Sequence, residues 1–164
     1  MSILLNQIDN YLSGLSHSEL VSIAQDALKK LDSSQQDQLL GDWQFEQRLK
    51  GKTQKEVIGL LQDFVRRSKA GEFYKPFFMN SKNYTQVPPE TEIWYAEMSR
   101  WLNYGCQQAN DGNNAHALEV LTPCLDLLDE SEGDENIVFA HEYGDWMLAV
   151  NYDYRTIYHQ ISGG

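Results

Sequence analysis

Cysteine is nearly absent from this 164-residue chain. Its two copies, Cys106 and Cys124, form no C-x-x-C pair and lack the spacing of a zinc site. A disulfide-stapled scaffold is therefore excluded, and two reduced, buried thiols are expected, although the pair suffices for one bridge. No apolar run approaches the ~20 residues of a membrane span. The chain has neither a G-x-S-x-G elbow nor a glycine-rich phosphate loop, so the best-marked routes to nucleophilic and nucleotide chemistry are missing. The opening stretch Met1-Ser2-Ile3-Leu4-Leu5-Asn6 has no basic region and soon meets Asp9, which predicts no signal peptide. Ser2 stands where myristoylation needs glycine. The expected compartment is the cytoplasm, with no membrane partner and no cofactor.

Basic residues are scarce in the second half. Residues 1–82 carry 11 Lys+Arg against 10 Asp+Glu, whereas residues 83–164 carry 2 against 14. The formal charge of -11 thus lies wholly beyond residue 82. Such a half repels phosphates, so direct nucleic-acid binding is not expected, and a basic protein partner is favoured instead. The cluster Arg48, Lys50, Lys52 and Lys55 with Arg66, Arg67 and Lys69 reads as a solvated helix face, with a basic patch as the alternative.

What is present is apolar periodicity with clear punctuation. The 41% hydrophobic and 12% aromatic content exceeds that of a disordered chain. The first seventy residues or so predict four helices. Residues 3–15 place Ile3, Leu4, Ile8, Tyr11, Leu12 and Leu15 on one stripe. Three capping boxes follow, at Ser16–Glu19, Ser33–Gln36 and Thr53–Glu56, each opening an apolar pattern. Those patterns are Leu20, Ile23, Ala24, Leu28 and Leu31; then Leu39, Leu40 and Trp43; then Val57, Leu60, Leu61, Phe64 and Val65. Gly71 supplies a C-terminal cap.

Residues 72–89 are an aromatic connector, in which Phe73, Tyr74, Phe77, Phe78 and Tyr84 alternate with prolines. It reads as a lid on the core or, as a candidate binding site, a docking surface. Pro88-Pro89 leads into a further helix. After a turn at Asp111-Gly112-Asn113 comes another, broken or kinked near Thr122 by Pro123. Trp146, Leu148, Val150, Tyr152 and Tyr154 alternate with period two. This predicts a small C-terminal β-hairpin turning at Tyr143-Gly144, then a short helix near residues 152–160. The expected fold is mainly α: one domain, 1–164, a bundle or orthogonal array of about six to seven helices plus that hairpin. It comprises a capped helical scaffold (1–71), the connector (72–89) and an acidic helical hairpin with the terminal β-hairpin (90–164).

Candidate chemistry is sparse. His141-Glu142-Tyr143-Gly144-Asp145 resembles a zinc-protease pattern with Asp145 in place of the second histidine, making His141, Glu142 and Asp145 the candidate metal ligands. The acidic run from Asp126 to Glu135 fails the EF-hand spacing and reads as a solvated loop. Residues 98–131 resemble one degenerate tetratricopeptide unit, with Trp101, Gly105, Ala117, Leu121 and Cys124 at its signature sites. Gln108 and Asp129 depart from that pattern, and no second copy follows. The stretches Gly71–Tyr74, Asn80–Asn83 and Ile137–Val150, with Asn151-Tyr152-Asp153, resemble a bacterial family of unknown function that includes cyanobacterial members. That resemblance implies no activity. The leading expectation is a non-catalytic protein-interaction or regulatory module, with self-association open. The alternatives are a metal-binding protein or enzyme at His141/Glu142/Asp145, and an acidic mimic of nucleic acid.

Overall fold

The computed structural model describes residues 3–78, 80–83, 86–133, 136–139 and 145–163, with only the backbone of residues 3, 4 and 145. Among them are seven α-helices: α1 (Ile3–Ser13), α2 (His17–Lys29), α3 (Ser33–Leu49), α4 (Gln54–Lys69), α5 (Pro89–Asn110), α6 (Asn114–Ser131) and α7 (Tyr154–Ser162). None is long and apolar enough to cross a membrane.

Local chemistry accounts for most boundaries. Ser16 and Glu19 close a reciprocal capping box on α2, and Thr53 and Glu56 close one on α4. The second box sits one residue earlier than its serines suggest, with Asp32 as cap and Gln35 as its partner. Gly71 follows α4 with φ +78°, and the N–H groups of Gly71 and Glu72 return to Ser68 and Arg67, which satisfies the last carbonyls. Pro88 and Pro89 open α5, where a missing N–H leaves nothing unpaired. Of the kink or break expected near Thr122, the break does not occur: α6 runs through Pro123 from Asn114 to Ser131.

The core is assembled by α3 to α7. α5 lies between α3 and α6, α4 packs on α6, and α7 packs on both α5 and α6. Trp94, Met98, Trp101, Leu102, Leu61 and Leu121 are fully buried. Phe45 of α3 meets Trp101 edge-to-face at 4.9 Å, an arrangement that suits the ring quadrupoles. The Trp94 indole donates to Ser68 Oγ at 2.9 Å, and that hydroxyl donates to the Phe64 carbonyl. α5 and α6 approach closely at Gly105, where a β-carbon would collide with Leu121.

The predicted C-terminal β-hairpin is not formed. No strand occurs among the described residues, and the proposed turn at Tyr143-Gly144 lies outside them. Asp145–Met147 is one turn of 3-10 helix, and an extended segment follows. Its period two is real, because Leu148, Val150 and Tyr152 are half-buried while Ala149 and Asn151 are exposed. The missing strand partner is replaced by α5. Ser99 Oγ accepts from the Ala149 N–H, while Asn103 accepts from the Asn151 N–H and donates to the Ala149 carbonyl. Side chains of a helix thus answer the backbone groups that a neighbouring strand would otherwise satisfy.

Candidate functional site

The aromatic connector is divided between core and surface. Phe73 is buried and meets Phe64 edge-to-face, with the Arg67 guanidinium over its ring. Tyr74 and Phe77 are half-buried against Phe139. Phe78 is 85% exposed, and Tyr84 lies outside the described residues. Of the metal candidates, His141 and Glu142 also lie outside them, and the Asp145 side chain is not described. Among the described residues no group of three His, Cys, Asp or Glu is arranged to hold a metal ion.

The remaining reactive groups are built into the core. Cys106 and Cys124 are free and fully buried. Burial pushes the Cys106 thiol up to about 11 and raises that of Cys124 as well, so both are poor nucleophiles. His116 is buried with Nε2 3.0 Å from the Tyr104 hydroxyl, whose own pKa burial raises. Its Nδ1 lacks a hydrogen bond and has Glu119 at 3.5 Å.

Between α3 and α5 runs a charged seam. Arg100, only 11% exposed, donates to both carboxylate oxygens of Asp37 at 2.9 and 3.0 Å and to Asp42 at 2.7 Å. Burial alone would lower its pKa, but hydrogen bonds to Asp37 and Asp42, reinforced by their charges, hold it above the usual value. Glu97 accepts from Arg48 at 2.8 Å and from the Trp101 indole at 3.2 Å. Ser34 donates to Glu92 at the other end of the seam. An open cleft of about 700 Å³ lies beside it, lined in part by Phe45, Leu49, Lys50 and Tyr104. Its floor amides are occupied, since Asn103 holds residues 149 and 151 and Gln107 binds Asp111 and the Tyr152 hydroxyl. The seam fastens helices together.

Acidic residues of α6 meet partial answers. Glu130 pairs with Lys69 at 3.0 Å and Asp129 with Arg155 at 3.5 Å, whereas Glu119 and Asp126 are exposed on the same helix.

The unexpected feature lies at the other end. α2 buries none of its residues, and on α1 every side chain described is exposed except the half-buried Leu12. Leu5, Ile8, Tyr11, Leu20, Val21 and Ile23 stand 37% to 64% exposed. On α3 the apolar pair Leu39 and Trp43, expected to face inward, is 67% and 61% exposed. The inward face of α3 is instead Ser34, Gly41 and Phe45. Periodicity reveals an apolar face but not what covers it, so the sequence assigned these stripes to the core.

Comparison with protein families, with curated proteins and with solved structures finds no match for this chain. The candidate site therefore rests on geometry alone.

Proposed function

We propose that this chain is a protein-interaction module, in which the α3–α7 body presents α1 and α2 as an apolar docking arm. One observation carries this reading: two amphipathic helices whose described apolar side chains are exposed except for half-buried Leu12 and Leu28. The magnitudes support it. Full burial of a Leu or Ile side chain contributes about 1.5–3 kcal/mol, so the uncovered stripe retains a large unused driving force for association. Isolated helices shorter than about 12–15 residues are marginal in water. α1 and α2 have 11 and 13 residues, so a surface that covers them also stabilises them. The arm is poor in basic side chains, with Lys29 and Lys30 against Asp9, Glu19 and Asp26, which favours a protein partner over an anionic lipid surface.

The test is capture from native cell extract with the intact chain and with the double variant Leu20→Ser/Ile23→Ser. The reading predicts a partner retained by the first and lost by the second. Equal recovery by both, or an intact chain that retains neither a foreign protein nor a second copy of itself, contradicts it.

A further inference from the structure

The pattern of α2 narrows the choice of partner. Leu20, Ala24 and Ala27 of α2 fall along one seam with Ile23 beside it, and half-buried Leu31, just past the Lys30 cap, continues its line. Turned antiparallel about an axis midway between Ala24 and Ala27, this seam matches itself. Leu20 comes level with Leu31 of a second copy, and Ala24 with Ala27, so the large side chains pack at the ends while two alanines let the backbones approach at the centre. The charges agree. Glu19 and Lys30 lie on the same flank as Ile23, one at each end of the helix. Antiparallel pairing brings Glu19 of one copy to within two residues, about 3 Å along the axis, of Lys30 of the other. A parallel two-fold pair would put the two flanks on opposite sides of the seam and leave Glu19 and Lys30 unmatched.

The wider charge distribution points the same way. Two copies of a chain with net charge -11 repel each other. That excess lies beyond residue 82, and exposed Glu119 and Asp126 belong to α6, which α5 separates from α3. Contact through the arm therefore joins the nearly balanced ends and leaves the acidic bodies outside. We infer that the partner of the arm is a second copy of this chain, with α2 packed antiparallel on α2 and the α1 stripes completing a four-helix contact. This rests on the reading of the arm as a docking surface.

Sedimentation equilibrium of the intact chain, followed by disulfide mapping, tests it. The wild type shows a reversible dimer. Leu20→Asp raises the dissociation constant by about 30-fold or more, as loss of a large apolar anchor does, while far-UV circular dichroism and the unfolding midpoint show the body intact. Lys30→Glu weakens the dimer by a smaller factor, about 2- to 5-fold. Under mild oxidation, a mixture of Ala24→Cys and Ala27→Cys chains cross-links readily, and each variant alone does so poorly; the buried native thiols do not compete. A dimer indifferent to Leu20→Asp, or strong cross-linking of either cysteine variant alone, overturns the inference. A monomer at every concentration also overturns it. If that monomer still captures a foreign protein through Leu20 and Ile23, the docking arm stands and only its occupant is wrong.

Discussion

The guanidinium of Arg100 rests against the backbone of α3 at Gly41. A β-carbon on residue 41 would collide with Nη2 and Cζ of Arg100 and with Oδ1 of Asp37. The absent side chain is what lets a nearly buried cation reach two aspartates on the opposite helix.

Gly41→Ala therefore sets two effects against each other. Alanine in a helix interior is favoured over glycine by about 1 kcal/mol. Displacing Arg100 leaves Asp37 without its partner, and breaking a buried ion pair costs about 3–5 kcal/mol; partial exposure of Asp37 reduces this. Urea unfolding should show a net loss of about 1–3 kcal/mol. A gain in stability would mean that Arg100 is not held against residue 41.

Asn103→Ala removes two of the three side-chain bonds that fix the 149–151 backbone and leaves the one from Ala149 to Ser99. The expected loss is about 0.5–1.5 kcal/mol, because the freed groups are exposed and water can answer them. Hydrogen exchange at the Asn151 amide should rise sharply, while amides in α6 slow or hasten only with global stability. Unchanged exchange at Asn151 would show that another group holds this segment.

The thiols provide a check on the core. Native protein should resist a thiol-specific reagent, since both cysteines are fully buried and burial raises both thiol pKa values. In denaturant both should react. Rapid labelling of either under native conditions would contradict the packing of α5 on α6.

The capping boxes give a pH dependence. Hydrogen bonds from the Thr53 backbone and then its side chain hold the Glu56 carboxyl below its ordinary 4.5. Its contribution is therefore complete above that ordinary value and is lost as pH falls through the lowered one. The stability difference between wild type and Glu56→Gln should be constant at neutral pH and shrink below about pH 4. A difference that persists unchanged in acid would remove the charge from the explanation.

Much of this fold was legible because its signals are local. Ser16–Glu19, Thr53–Glu56, Gly71 and Pro88-Pro89 act within a turn of themselves, and each marks a helix end where expected. The C-terminal segment was half legible. Period two at Leu148, Val150 and Tyr152 reports an extended chain with one inward face, but not its hydrogen-bond partner, which here is α5. The arm was illegible for a related reason. Ile23 and Leu61 sit in equally amphipathic helices, yet one is 39% exposed and the other fully buried. Only the tertiary arrangement separates a face that makes the core from a face left for something else.

Hydrogen–deuterium exchange across a dilution series tests that separation most directly. At low concentration, amides of α1 and α2 should exchange far faster than those of α5 and α6, because neither helix buries a described side chain fully. Their protection should rise with chain concentration while that of α5 stays fixed. Arm amides as slow as α5 and α6 at every dilution would show that the two helices belong to the core and would contradict the account.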